Sequence, residues 1–467
     1  AIKKGNEIEL TIDSTAFKGK GVGRFEGLAV FVPNTAPGDR VRTRIVKKKK
    51  KYAQGKLLEI LEKGPHHQQP RCRHAYTCGG CTWQHIPYDY QLEVKSQQVE
   101  DHMQRIGGFS GFKVNETLGC DEPFYYRNKM EYSFGNRRWL SREEIEKDEF
   151  VDDQAFAAGL HAPGRFDKIL NLDECHLQDP ISFQILDAVR HYALENGLTP
   201  YDTYKHKGYL RNLVIRNAGH SDDLMVNIVT RSENAEVIQQ LSDYLLGKFP
   251  SITTIVNNIN DQRNPTAVGR YENIIYGPGY INDSIDGITF RIGANDFFQT
   301  NTKQAEKLYE VARNFADLSP QDRVYDLYCG VGSISLSLAH LVEEVVGIEL
   351  EEAALENARK NARRNSVENS AFVPGDMKDT FTTDLLEKHG RPDVLITDPP
   401  RAGMHEDVVH QINELKVPRL VYVSCNSSTQ ARDLERLSEV YELQEIQPVD
   451  MFPQTYHIES VAKLRLR

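Results

Sequence analysis

The sequence predicts a multidomain α/β protein with a C-terminal doubly wound sheet, an N-terminal β-barrel and a mixed α+β region between them. Three observations predict it. At 467 residues the chain is too long for one hydrophobic core, so two to four domains are expected. From Val324 onward, apolar strands alternate with amphipathic helices, the pattern of a parallel, Rossmann-like sheet. Residues 5–63 instead read as short strands bounded by Gly, Pro, Asn or Asp.

Composition sets the class. Hydrophobic content of 39% and charged content of 27% describe an ordinary soluble globular chain. No apolar run is long enough to cross a bilayer, and AIKKGNEIEL does not read as a signal peptide. A cytoplasmic location with no membrane partner is expected, and nothing calls for an obligate protein partner. The net charge of −10 hides a division. Residues 1–64 hold 15 Lys+Arg against 7 Asp+Glu, a surplus of 8 positive charges, so the remainder carries −18. A basic head on an acidic body suggests a polyanion-binding module attached to a domain with another task. The run Lys47 to Lys51 alone reads equally well as a solvated loop.

The elements follow in order. Five strands in about 60 residues suit a small closed barrel of the oligonucleotide-binding (OB-like) kind over 1–64. Phe17, Phe25 and Phe31 are interleaved with Lys18, Lys20 and Arg24; they could stack bases, though each alone is better read as core. GPHHQQP (64–70) reads as a linker into a central region, 65–298. That region opens on a cysteine cluster, continues as a helix from about Tyr88 to Ile106, and mixes strands and helices over 124–298, with strands at LVIRN and DLMVNIVT. The helix is placed to pack on the last unit, 299–467. There RVYDLYC, EVVGIEL, AFVPGD, DVLITDPP and RLVYVSC read as strands, each but AFVPGD followed by a helix, and a final strand pair suggests an antiparallel edge.

Residues at the strand ends carry the chemistry. Asp326-Leu-Tyr-Cys-Gly-Val-Gly332 makes a glycine turn into a helix, where backbone approaches a ligand closely. Glu349 ends the second strand and can accept hydrogen bonds from ribose hydroxyls. The third strand leads to Asp376, an acid suited to an adenine amino group. The turn lacks the third glycine of the dinucleotide fingerprint, since Ser335 stands there, which favours S-adenosylmethionine over a dinucleotide. Asp398-Pro-Pro-Arg401 and Val423-Ser-Cys425-Asn426 end the fourth and fifth strands, on the ligand edge of such a sheet. Cys425 precedes a helix beginning near Thr429, whose N-terminus can stabilise a thiolate. If the last strand is antiparallel, Glu459 at its start reaches the same edge. A thiol, a base and a carboxylate beside a methyl donor suit methylation of pyrimidine carbon 5. Thiolate addition to carbon 6 activates carbon 5, and a base then removes its proton.

Here the chain resembles the RNA uracil-5 methyltransferase family, over nearly its whole length. Residues 1–64 resemble its RNA-binding TRAM barrel. Phe297-Phe298-Gln299-Thr-Asn301, Asp326-Leu-Tyr328-Cys-Gly-Val-Gly, Asp398-Pro-Pro-Arg, Ser-Cys425-Asn and His457-Ile-Glu459 resemble its catalytic motifs, and Tyr126-Arg127-Asn128-Lys129 a motif of its central domain. The resemblance implies a class I S-adenosylmethionine-dependent fold. It implies cofactor contacts from Gln299, Tyr328, Glu349, Asp376 and Asp398, with Cys425 as nucleophile and Glu459 as base. Two positions depart from it: Ser427 replaces the usual proline, and Ser333 stands where many members have asparagine.

Seven cysteines, an odd number, argue for metal or catalytic use over a disulfide framework. The spacing of Cys72, Cys78, Cys81 and Cys175 suits zinc or an iron–sulfur cluster equally. The resemblance, including Cys78-Gly-Gly-Cys81-x2-Gln84-His85, implies a structural [4Fe-4S] cluster on those four, in a central domain, 65–298, that also binds RNA. It also favours 23S ribosomal RNA as substrate over transfer RNA. A reading from another class is a non-catalytic RNA-binding iron–sulfur protein, against which intact Cys425 and Glu459 argue.

Overall fold

The computed structural model describes residues 2–16, 18–147, 156–379 and 381–467. Strands β1 (Glu7–Thr15), β2 (Gly21–Phe25), β3 (Leu28–Val32), β4 (Arg40–Lys48) and β5 (Tyr52–Glu62) close into a barrel, in the order β1-β2-β3-β5-β4. Alternation builds it: Ile8, Leu10 and Ile12 of β1 point inward between polar neighbours and meet Val30, Val32, Val41 and Ile45. Phe25 packs on the edge of this core, and Phe31 stands outside it, edge-to-face with Tyr52 at 5.7 Å. Phe17 lies outside the described residues.

The barrel's positive charge is uneven. Arg40, Arg42 and Arg44 on β4 pair with Glu62, with Glu9 and Glu59, and with Glu7. Among the described residues no ion pair engages Lys47 to Lys51, which form the end of β4 and the turn into β5. The turn is therefore the densest run of unneutralised cations on the barrel.

The helix Tyr88–Arg105 buries Gln91, Lys95, Val99 and Met103 against the C-terminal unit. Lys95 Nζ lies 2.7 Å from Asp450 Oδ1, with both side chains fully buried. Strand β6 (Lys113–Val114) joins the edge of the C-terminal sheet in parallel with its neighbour. The central sheet holds β7 (Lys129–Gly135), β8 (Ala157–His161), β9 (Ile169–Asn171), β10 (Leu210–Asn217), β11 (Leu224–Thr230), β12 (Thr254–Ile259) and β13 (Tyr271–Tyr276). Its order is β13-β12-β11-β10-β7-β8-β9. Helices Ile181–Glu195 and Ala235–Lys248 cover one face through Ile185, Val189, Ile238 and Leu241. A hairpin, β14 (Tyr280–Ile285) and β15 (Ile288–Gly293), turns at Asp286-Gly287. Both turn residues have positive φ, 51° and 77°, as a two-residue hairpin turn requires. Its Ile281, Ile285 and Phe290 share the hydrophobic core of the C-terminal unit.

That unit's strands are β16 (Arg323–Leu327), β17 (Glu344–Glu349), β18 (Ser370–Pro374), β19 (Val394–Thr397), β20 (Arg419–Ser424), β21 (Tyr441–Val449) and β22 (Glu459–Leu466). The order is β18-β17-β16-β19-β20-β22-β21-β6, with β16 to β20 parallel and β22 antiparallel to both neighbours. The doubly wound sheet and its antiparallel edge pair are as expected. Strand order reverses between β16 and β19, where such sheets open a ligand crevice at their carboxyl ends. A short helix, Thr383–His389, sits between β18 and β19, where the sequence reading had placed no element. Among the described residues no helix is long and apolar enough to cross a membrane.

Candidate active site

The chain leaves β16 through a constrained turn. Tyr328, Gly330 and Gly332 have φ of 61°, 55° and 81°, and a left-handed tyrosine is strained. At Gly332 a Cβ would lie 3.0 Å from the Phe372 ring and 3.2 Å from Ala358 Cβ. Gly332→Ala is expected to cost about 1–3 kcal/mol, read by urea unfolding, because left-handed backbone and crowding add. An unchanged midpoint would show the turn to be tolerant. Buried Asp326 accepts a hydrogen bond from Ser335 Oγ at 2.5 Å, tying the strand to the helix Ser333–Leu338. Burial pushes its carboxyl up to about 7.

Glu349, at the end of β17, is held by backbone. Its oxygens accept from Gly330 N at 3.1 Å, Leu350 N at 2.8 Å and Glu351 N at 3.1 Å. Asp376 follows β18 and accepts from Lys378 N at 3.0 Å. Gln299 precedes the helix Thr302–Ala316. Asn128 Nδ2 donates to Gln299 O at 2.7 Å and to Thr302 Oγ1 at 2.8 Å, so the Tyr126–Lys129 segment anchors this approach.

The register of β20 and β22 brings two distant residues together. Their last pair is Ser424 with Ser460, so Cys425 and Glu459 occupy the next step. Asp398, just past β19, faces both. Gln299, Tyr328, Glu349, Asp376, Asp398, Cys425 and Glu459 all line one cleft of about 1570 Å³. The structure thus gathers every predicted cofactor-contact and catalytic residue.

Electrostatics correct one expectation. The helix after Cys425 begins at Ser427, not near Thr429, with Asn426 as its N-cap accepting from Ser428 N at 3.1 Å. Its N-terminus does not leave Cys425 as a thiolate. Burial, then the charges of Glu459 and Asp398, push the thiol up to about 11, against a smaller opposing effect of Arg401. Desolvation and two carboxylates outweigh the helix end. Asp398 is itself pushed up to about 7 by burial and by Asp326, although its side chain faces the cleft and stays partly exposed. Buried Glu459 is raised well above the usual carboxyl range by burial and by Asp398. Burial thus raises Asp398, Glu459 and Cys425 together.

Further residues in and behind this cleft complete the site. Arg401 is the cation that favours ionised Cys425, and its carbonyl accepts from Asn426 Nδ2 at 3.2 Å and Thr429 Oγ1 at 3.1 Å. The Asp-Pro-Pro-Arg motif was the available signal for it. Buried Tyr309 hydrogen bonds to Gln299 and Ser333 and feels Asp398. As one aromatic in a helix it carried no signal. Ser333 is thus engaged within the protein. Buried Ser427 meets His102 Nδ1 at 2.8 Å, so this departure from proline binds the central helix to the nucleophile's turn. His457 lines the cleft, and burial with nearby Arg401, Lys95 and Arg127 pushes it down to about 4.

The four predicted metal cysteines influence one another's ionisation, so they form one neighbourhood. Burial pushes Cys72 and Cys81 up to about 12 and Cys78 up to about 11, and raises Cys175. Each sulfur accepts N–H donors: His74 N to Cys72 at 3.4 Å, Gly80 N to Cys78 at 3.3 Å, Gln84 Nε2 to Cys81 at 3.2 Å, and the backbone of Leu177 and Gln178 to Cys175. Among the described residues, no group of three or more His, Cys, Asp or Glu side chains is arranged to hold a metal ion. Gly79, Gly80 and Thr82 of this loop line the cleft.

Known proteins place the architecture. Residues 267–466 match the family model described as tRNA (Uracil-5-)-methyltransferase, and residues 2–58 match the TRAM domain. A Bacteroides thetaiotaomicron protein described as an uncharacterized RNA methyltransferase is 42% identical over 454 residues, covering 97% of this chain and 100% of its own. A Chlorobaculum tepidum protein of the same description is 42% identical over 465 residues, covering 98% and 96%. The crystal structure of Pyrococcus abyssi tRNA (uracil-54, C5)-methyltransferase in complex with S-adenosyl-L-homocysteine superposes with a TM-score of 0.76 at 28% identity, covering 98% of this chain and 100% of that one. With its barrel, its sheet order and its cleft, the chain belongs to the RNA uracil-5 methyltransferase family.

Proposed function

We propose that the chain transfers a methyl group from S-adenosylmethionine to carbon 5 of a uridine in RNA, through a covalent adduct between Cys425 and carbon 6. The observation that carries this reading is the convergence of Cys425, Glu459 and Asp398 on the cleft that Gln299, Tyr328, Glu349 and Asp376 share. The cleft suits the donor: Asp398 and Glu459, raised chiefly by burial, gain a favourable partner when a sulfonium cation binds beside them.

S-adenosylmethionine supplies the electrophilic methyl and a cation beside the acids. Ionised Cys425 forms the carbon 6 bond, and the ring electrons move to carbon 5 as an enolate. Carbon 5 takes the methyl as the sulfur–methyl bond breaks, leaving neutral S-adenosylhomocysteine. Glu459 in its carboxylate form then removes the carbon 5 proton; the electron pair re-forms the double bond and Cys425 leaves. Arg401 holds negative charge on sulfur during addition and elimination. Asp398 orients the donor or Glu459. The target base leaves its stack to reach Cys425.

The test is RNA carrying 5-fluorouridine. Fluorine leaves no proton for Glu459 to remove, so an active enzyme stays covalently trapped on the RNA. An adduct stable to denaturing gels is expected. No adduct with either ribosomal or transfer RNA would favour a non-catalytic RNA-binding protein.

The favoured substrate is 23S ribosomal RNA, since family members pairing a TRAM barrel with this cysteine cluster usually act there. The transfer RNA reading draws on the Pyrococcus abyssi relative. Mapping 5-methyluridine in both RNAs, with and without the gene, decides between them.

We assign a structural [4Fe-4S] cluster to Cys72, Cys78, Cys81 and Cys175. The number and type of these four thiols, each with an N–H donor, support the assignment, and four ligands would leave no iron open for chemistry. Anaerobic reconstitution is expected to give a broad visible absorption band and iron bound to the chain. Cys81→Ser should lose both. Zinc content without the band would replace the cluster with a zinc site.

A further inference from the structure

A second cavity, of about 500 Å³, lies away from the catalytic cleft and is lined by cations: Lys205, Lys207, Arg231, Arg263 and, beside them, His206. Among the described residues no ion pair engages those lysines and arginines, whereas Asp261 at its edge is paired with Arg270 at 2.9 Å. Two ordered loops build it. In the first, Asp202 Oδ1 accepts from Tyr204 N at 2.8 Å and Lys205 N at 3.1 Å, and Tyr201 OH meets His206 Nδ1 at 2.8 Å. In the second, buried Arg211 donates to the carbonyls of Asn260 at 2.7 Å and Gln262 at 2.6 Å, and stacks on Tyr201 at 4.3 Å. One buried arginine therefore fixes the loop bearing Arg263 against the loop bearing Lys205 and Lys207.

An aromatic shelf adjoins the first loop. Tyr204 is 52% exposed and Phe166 68%, their rings 5.9 Å apart, with Arg137 over Tyr204 at 4.4 Å. Exposed rings beside unpaired cations are the elements of single-stranded nucleic-acid binding.

Position links this site to the cleft. Arg231 follows β11 and its N–H donates to Tyr209 O, beside the start of β10. Six residues further along β10, Arg216 pairs with Lys129, which lines the cleft. At ~3.4 Å per residue the two sites stand roughly 20 Å apart. Between them, on the face opposite the two helices, Asn212, Ser133 and His161 form a polar run, with Ser133 Oγ 3.3 Å from Asn212 Nδ2 and 3.1 Å from His161 Nε2.

We propose that the Lys205–Lys207–Arg231–Arg263 cavity, with the Tyr204–Phe166 shelf, is a second RNA-binding site that holds backbone phosphates and stacked bases of a single-stranded segment running from the catalytic cleft. This deepens the RNA reading above and names which surface holds the substrate beyond its target base.

The test compares full-length wild type with Lys207→Ala/Arg263→Ala, using fluorescence anisotropy on a 30-nucleotide oligouridine across salt concentrations. Each single-strand phosphate contact contributes about 0.7 to the slope of log affinity against log salt. The double variant is expected to bind about tenfold more weakly at 0.1 M salt and to lose about 1.4 from the slope, with unchanged thermal unfolding. Tyr204→Ala/Phe166→Ala should weaken binding with little change in slope. Wild type that does not bind the oligomer, or a double variant with unchanged affinity and slope, overturns the proposal. So does wild type that binds pyrophosphate in this cavity with no effect on its RNA affinity, which would make it a small-anion site. The readout is binding, so a failure of the methyltransferase reading is seen separately, as a missing fluorouridine adduct.

Discussion

Cys425→Ala is expected to abolish methyl transfer, by at least about 10⁴-fold, while leaving RNA and cofactor binding within a few-fold of wild type. Carbon 5 of uracil is a weak nucleophile until a sulfur adds at carbon 6, and among the described residues no other cysteine lines the cleft. Single-turnover transfer from radiolabelled donor measures it, and retained transfer would show that sulfur addition is not required. The thiol also sets a pH dependence. With Cys425 pushed up to about 11, its thiolate fraction in the free protein grows about tenfold per pH unit through neutrality. Adduct formation with fluorouridine RNA should rise from pH 7 to pH 9. Bound cation lowers the thiol's pKa, so alkylation of Cys425 by iodoacetamide at pH 8 should be faster with S-adenosylmethionine than with its neutral homocysteine product. Equal rates would mean that the cofactor's charge does not reach the sulfur.

Glu459→Gln is expected to fail at a different step. The amide keeps the shape of the side chain and cannot take a proton. Addition and methyl transfer proceed, and the methylated adduct then persists because the carbon 5 proton stays. Turnover should fall by about 10²–10⁴-fold, while unmodified RNA becomes covalently attached to the protein. Wild type releases its product and shows no such accumulation. A variant that loses turnover without accumulating adduct would place Glu459 before methyl transfer, as a donor to the uracil carbonyl. Its raised pKa makes that alternative measurable. Cys425→Ala is silent throughout, so the pair separates the nucleophile from the proton acceptor.

Much of this molecule was legible in one dimension. The barrel strands could be read because Ile8, Leu10 and Ile12 alternate with polar neighbours and glycines mark the turns. The sheet could be read because apolar strands and amphipathic helices differ in period, and strand ends are where such sheets bind ligands. The charge surplus was legible as a total only. Which cations are neutralised depends on cross-strand pairing of Arg40, Arg42 and Arg44 with acids elsewhere in the chain. The basic cavity on the central sheet has the same character, drawing its cations from three separate segments.

The sequence by itself determined the list of reactive groups, their strand ends and the family to which they belong. Tertiary structure alone decided their protonation and their partners. Cys425 reads as an activated thiol beside a helix, yet burial and two carboxylates from other strands raise it. Ser427 reads as a departure from the family, yet it meets His102 from a helix more than three hundred residues earlier. Local sequence encodes backbone periodicity, whereas desolvation and Coulomb interactions depend on which distant groups the fold brings within a few ångströms.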